Sequence, residues 1–444
     1  MDKRALSLPI LVAIVVGNMV GTGIFLLPSS LAAYGTISIL SWVFTSIGAL
    51  LLALTFTHLN KRFPVTGGAY AYCKEAFGNL VGFVIAIIYW LSNVVSVAGI
   101  AVASIGYLGF VFPSLNANLP GYDETSTLLL ELGIIWFFTC INILGIHFAG
   151  VVQLFLTIFK VTPLVLIVLF GLGAIKLPNL MAFSTGNMPY FSAISNAAAL
   201  TFWAFVGLEA ATVPAENTLG PKDIYKATIW GTLISSGVYI ASTIVLMGMI
   251  PLNALQNSQF PFAEAGAMLF GPIGALLIAL FACISGIGAM NVCILLQGQI
   301  VFAAARDNIF PRWLAKLSKR DVPVRGQLVS STIGSLLLII TMQPSLLKQF
   351  NFIALLAALL SLVVYLAAMC AEIRFIVQGR GTLAHMLKQK STIVAVLAAA
   401  YSIWMISSMD AITIKVAFIM IASCVPIYYL FIRRYENQRS HHKK

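Results

Sequence analysis

The sequence predicts an all-α membrane protein of twelve transmembrane helices, built from two inverted repeats of five with the first and sixth helices broken. Three observations lead there. Of 444 residues 60% are hydrophobic and only 9% charged, whereas soluble domains carry about 25% charged residues. Apolar runs long enough to cross a bilayer recur along the chain. Two of them, five apart, are interrupted in the middle.

The first run spans about 6–33 and contains Gly17-Asn18-Met19-Val20-Gly21-Thr22-Gly23-Ile24-Phe25. Each glycine inside a helix costs roughly 1 kcal/mol against alanine. Broken backbone survives at membrane depth only where protein or a wet cavity surrounds it. The stretch therefore reads as an interrupted helix whose freed N–H and C=O groups can meet a ligand. Close helix packing through small residues is the plainer alternative. The run has no small-residue cleavage pattern and leads into Pro28, so it is a first span and not a signal peptide.

The later runs are 36–58, 78–112, 126–147, 149–172, 193–216, 227–250, 268–299, 326–342, 350–377, 391–408 and 411–432. The third and eighth exceed one straight crossing, so tilt or extension is expected. The sixth reads Leu200-Thr201-Phe202-Trp203-Ala204-Phe205-Val206-Gly207-Leu208-Glu209. A carboxylate at mid-membrane is costly, at least about 2.5 kcal/mol if unpaired, and marks a functional site. Matching interruptions in spans one and six imply an inverted repeat. The halves share no convincing residue identity, so the repeat rests on the breaks and the count. The division expected is 1–172 for the first repeat, 173–377 for the second, and 378–444 for spans eleven, twelve and a tail.

Basic residues orient the chain. With both termini in the cytoplasm, 22 of the 26 Lys and Arg fall inside. Lys176, Lys348 and Lys415 fall outside or near an outer helix end, and Lys160 lies within span five. The net charge of +12 is spread over many loops, so no nucleic-acid partner is needed. The six cysteines lack metal-ligand spacing and suggest neither a metal site nor a disulfide framework. No phosphate-cradling loop or nucleophile–base pair points to an enzyme, and no cofactor is expected. A channel would need a continuous polar stripe. Two local breaks suit alternating access around one closed site instead. Glu131 and Asp410 are placed at outer helix ends, Glu216 at the inner end of span six, and His147 in a short turn.

These segments resemble the amino acid–polyamine–organocation superfamily. Gly17 to Pro28 is similar to its first-helix signature, and Thr201 to Glu209 to its sixth. Gly67-Gly68-Ala69-Tyr70-Ala71-Tyr72 and the segment Gly298-Gln299 through Ala304-Ala305-Arg306-Asp307-Asn308-Ile309-Phe310-Pro311 fit as well. The resemblance covers about residues 7 to 430 and is nearest to bacterial basic amino acid/polyamine antiporters. It implies a secondary active, sodium-independent carrier of amino acids in the bacterial inner membrane, an antiporter first and a proton-coupled neutral amino acid permease as the alternative. A channel is the remote alternative.

Roles follow from the resemblance. The substrate's carboxylate and amino group would meet Asn18, Val20, Gly21, Thr22 and Gly23, where a half-helix start attracts an anion. Trp203 would close over its side chain, with Val206 beside it. Tyr89, Glu209 and Tyr365 would form the inner gate, Glu209 being the candidate for protonation-linked gating. Lys160 would stand in for a sodium ion beside the first helix, or carry a proton. Three positions depart from the exchangers. Cys293 replaces a gating tryptophan, Val97 a pocket asparagine and Ala357 a serine. Each change removes a group that holds a guanidinium or ammonium tail, and Asn93 and Asn291 are nearby polar residues that would compensate. The substrate's identity, the choice between antiport and proton symport, and the direction of transport stay open. Partners are a small amino acid or polyamine and the lipid bilayer. Family members are often dimers, and a homodimer is left open.

Overall fold

A computed structural model describes residues 7–63, 68–115, 123–144, 149–181, 183, 188–209, 221–320, 322–343, 345–378 and 390–429. Among them every regular element is a helix. That suits an apolar solvent, because a helix pairs its own backbone and leaves no N–H or C=O facing lipid. Nine of the described helices are long and apolar enough to cross a membrane. The chain is a multi-pass membrane protein.

The first run folds as α1 (Leu8–Met19), a 3-10 turn over Thr22–Phe25, and α2 (Leu27–Ala32). The interruption falls at Val20 and Gly21, both extended. α3 (Ser38–Arg62) ends on Lys61 and Arg62, where cations meet the last carbonyls. α4 (Ala69–Phe77) is a short connector before α5 (Asn79–Leu108). At 30 residues α5 is about 45 Å long, so it must tilt or project from a hydrocarbon layer about 30 Å thick. α6 (Glu124–Leu144), α7 (Ala149–Gly171) and the short α8 (Leu177–Met181) follow.

α9 (Tyr190–Trp203) stops inside the sixth run, and residues 204–209 continue as turns. The rest of that run, with Glu216, lies outside the described residues, as do His147, Gly67 and both chain ends. α10 (Pro221–Met249) and the short α11 (Leu252–Asn257) lead to α12 (Pro261–Arg306). α13 (Val324–Thr341), α14 (Leu346–Gln378), α15 (Lys390–Ser407) and α16 (Ala411–Ile427) complete the set. Asp410 starts α16 as an N-cap, accepting from the N–H groups of Ile412 and Thr413.

Two sequence expectations need correction. The eighth run, placed at 268–299, is part of a longer element that starts at Pro261, breaks at Gly271 (φ 71°) and continues to Arg306. The run already included Gln297, which is buried; the helix continues beyond Gln299 through residues 300–305, so the end of the run was not the end of the helix. Glu131, expected at a helix end, sits seven residues into α6 and is 2% exposed.

The site is framed by aromatic anchors. Tyr107 on α5 donates to the Phe25 carbonyl at 2.7 Å, and Phe25 meets Phe262 edge-on at 5.0 Å. Tyr239 on α10 donates to the Ala204 carbonyl at 3.2 Å and packs with Trp42 and Phe205. Each interrupted backbone thus has a phenol holding one of its released carbonyls.

Candidate functional site

The two interruptions meet face to face. Asn18 at the end of α1 donates from Nδ2 to the Gly207 carbonyl at 3.3 Å. Gly207 has φ 94°, a conformation glycine adopts at no steric cost. A Cβ there would also fall 2.3 Å from Asn18 Nδ2. Trp203, the last residue of α9, lies against Gly23, where an added Cβ would come within 1.5 Å of the indole. The far side of Trp203 meets Phe350 edge-on, centroids 5.2 Å apart. The indole is therefore wedged between the first interruption and α14.

Beside this contact lies a cavity of about 50 Å³, room for a few water molecules. The first interruption contributes Asn18 and Gly21 to its wall, and α5 contributes Tyr89, Ser92, Asn93 and Ser96. Trp203, Val206, Gly207 and Glu209 line it from the second interruption, and Ala289, Cys293 and Leu296 from α12. Among the described residues of this lining Glu209 is the one acid and none is basic. Its carboxylate is held from two sides. Tyr89 donates to Oε1 at 2.9 Å and Tyr365 to Oε2 at 2.5 Å, while the Gly207 N–H donates to the Tyr365 hydroxyl at 3.1 Å. All three side chains are buried. Two phenol donors answer the desolvation cost of a carboxyl at this depth.

Lys160 stands behind the first interruption. Where α1 ends, the Gly21 N–H turns to the Met19 carbonyl at 3.1 Å, and so does not serve the Gly17 carbonyl four residues back. Lys160 Nζ supplies that donor at 2.8 Å. One turn lower, Thr157 donates to the Ala13 carbonyl at 3.0 Å. α7 is fastened to α1 by these two side-chain-to-backbone bonds, and Lys160 is fully buried.

Of the candidate site residues, Asn18, Gly21, Asn93, Trp203, Val206 and Cys293 line the cavity, together with Tyr89 and Glu209. Tyr365 sits one hydrogen bond behind it. Val20, Thr22, Gly23, Val97 and Ala357 do not line it. Val20 and Ala357 are fully buried in packing, and Gly23 is covered by Trp203. The Thr22 hydroxyl pairs with Ser104 at 2.9 Å. Val97 follows Ser96 by one residue, which turns it about 100° away from the wall on a helix. Asn291 does not compensate for the missing polar groups, because it accepts from Asn142 at 2.8 Å on α6.

Ser92 and Ser96 were missed. Their signal was legible: Tyr89, Ser92, Asn93 and Ser96 fall at helical spacing in an otherwise apolar run, which makes one polar face. Met19, Ile24, Ala289 and Leu296 carry no such signal. Away from the cavity, Tyr70 and Lys74 on α4 both donate to Asp307 Oδ2 at 3.3 Å, tying α4 to the end of α12. Burial first, and the Asp307 carboxylate second, hold the Tyr70 phenol above its ordinary pKa.

The sequence profile of the family described as amino acid permease matches residues 6–439. The chain belongs to that family. Among curated relatives of this permease, a putative arginine/ornithine antiporter of Bacillus subtilis (strain 168) is 30% identical over 437 residues, covering 89% of this chain and 90% of the relative. The putrescine transporter PotE of Escherichia coli (strain K12) is 30% identical over 401 residues, 88% of each chain. The cadaverine/lysine antiporter of the same strain is 30% identical over 335 residues, 75% of the permease and 74% of the relative.

Proposed function

We propose that this permease is an amino acid/polyamine antiporter working by alternating access. The observation that carries the reading is the cavity between two interrupted helices, whose wall, among the described residues, holds one carboxyl group and no cation. Such a wall favours a ligand bearing an ammonium group, the chemistry shared by ornithine, lysine, putrescine and cadaverine. Once the walls part, the backbone of the first interruption around Gly21 takes the carboxylate of an amino acid, and a diamine does without that contact. Glu209 and its two tyrosines close one end, and Trp203 covers the other. At about 50 Å³ the cavity is smaller than these substrates, so loading requires the walls to part, and the substrate selects the parted state.

In this reading the finer architecture is twelve spans, a five-plus-five inverted repeat over 1–172 and 173–377, an addition over 378–444, cytoplasmic termini and residence in the bacterial inner membrane. Lys160 in place of an ion makes the cycle sodium-independent. One observation favours a second reading, a proton-coupled carrier of neutral amino acids. Cys293 lines the wall where the exchangers have a stacking tryptophan.

Proteoliposomes preloaded with unlabelled ornithine, putrescine, lysine or leucine and given each labelled compound separate the two. The antiport reading expects uptake only against an internal amine. Leucine uptake into empty vesicles driven by an inward proton gradient overturns it.

A further inference from the structure

A second cavity lies on the outside of the fold, between α1, α7 and α10. It measures about 630 Å³, within the range of roughly 300–1,000 Å³ typical of small-molecule sites. Leu8, Val12, Val16, Val161, Leu166 and Ile234 form much of its wall, which is almost wholly apolar. Ile158, Val165 and Ile234 on its rim are exposed. On a membrane-spanning bundle, exposed apolar side chains at this depth face acyl chains and not water.

One end of the groove is charged. α1 and α7 run parallel, since Ala13 pairs with Thr157 and Gly17 with Lys160. α10 runs the same way: Gly231 packs on Val15 near its start, and Gly248 meets Ile175 just beyond the far end of α7. Counting at 1.5 Å per residue, Leu8 lies roughly 10 Å below Val15. On α10, Lys226 and Lys222 lie roughly 8 and 13 Å below Gly231. The two lysines therefore share the depth of the Leu8 end of the groove, and both are exposed. At about 100° per residue, Lys226 lies about 80° around α10 from groove-lining Ile234 and Lys222 about 120°, so Lys226 is the one within reach. Asp223 stands between them and offsets one charge, leaving this turn net positive. Tyr225 and Trp230 on the same stretch are 43% and 57% exposed, as aromatic side chains are at a headgroup layer. Lys3 and Arg4 precede Leu8 in the chain.

We infer that this groove holds an acyl chain of an anionic phospholipid whose headgroup rests on Lys226. Apolar walls that open to lipid and end in a basic, aromatic-flanked turn are complementary to an anionic lipid along its whole length. The position gives the lipid a task. Ala13 and Thr157 belong both to the groove wall and to the seam that fastens α1 to α7. A chain lodged there holds α1 against α7, and its departure frees α1 to move.

The test is lipid retention by the full-length protein, read by native mass spectrometry after reconstitution in phosphatidylcholine containing phosphatidylglycerol. It needs no substrate, so it stands apart from the transport reading. The wild type is expected to retain phosphatidylglycerol over phosphatidylcholine and to melt higher in its presence. Lys226→Gln should weaken retention about fivefold, and Lys226→Glu should weaken it further. Ile158→Trp, which fills the groove from its exposed rim, should abolish both retention and the thermal shift; Thr162→Trp serves if that variant does not fold. Equal retention of the two lipids overturns the inference. Retention unchanged by the tryptophan variant, even where the lysine variants lose it, overturns the groove as the site.

Discussion

Lys160 donates to the Gly17 carbonyl at 2.8 Å, and it does so where the Gly21 N–H has turned instead to Met19. The lysine thus completes the end of α1 from a different helix. Lys160→Ala should destabilise the protein by about 2 kcal/mol, the cost of orphaning a buried backbone acceptor, and should abolish exchange. Thermal unfolding and counterflow in the same proteoliposome preparation check both. Full transport by the variant would remove Lys160 from the mechanism.

Trp203 and Gly23 are in contact with no space between them. Gly23→Ala places a methyl group where the indole lies. Overpacking of this kind costs about 1–3 kcal/mol, and the ring will be displaced to relieve it. The expected result is a folded protein with altered tryptophan fluorescence and at least tenfold slower exchange, a change of about 1.4 kcal/mol. Phe350→Ala should release the ring from its other side and partly restore the rate.

Glu209 receives hydrogen bonds from two buried phenols. Glu209→Ala leaves both tyrosines without that acceptor, a penalty of about 1–3 kcal/mol for each group, and the gate should leak. Glu209→Gln keeps a carbonyl acceptor and removes the titration. Its exchange rate should lose its dependence on pH while the gate still closes. A glutamine variant with the wild-type pH profile would assign the titration to another group.

Cys293 lines the cavity and is buried. In a variant retaining Cys293 as its sole cysteine, a small thiol-directed methanethiosulfonate should block exchange, and saturating substrate should slow the reaction. Cys293→Ser should be insensitive. Labelling without inhibition would place the transport path elsewhere.

Both interruptions were legible in the sequence because they offend a strong local rule. Glycines at 17, 21 and 23, and a carboxylate at 209, have no place in an ordinary lipid-facing helix. The polar face of α5 was legible too, as a spacing of three and four. The inner end of α12 was not, because the end of an apolar run marks where lipid-facing composition changes and not where the backbone leaves the helix, which continues past Gln299 to Arg306. Nor could the sequence separate Val97 from Ser96, or Asn291 from Cys293. Such neighbours differ only in the direction of the side chain, and that direction depends on how the helix is rotated against its partners.

By itself, then, the amino-acid sequence determined the solvent, the helical class and the two places where the backbone departs from a helix. Each of these is a property of residues close together in the chain. The grouping of Tyr89 and Tyr365 with Glu209 and the place of Lys160 beside the first helix were expected only through the family resemblance. The bond of Lys160 to Gly17, the contact of Trp203 with Gly23 and the apolar groove outside α1 were decided by tertiary structure. These contacts join residues tens to hundreds of positions apart. Their geometry follows from helix rotation and close packing, which no local pattern encodes.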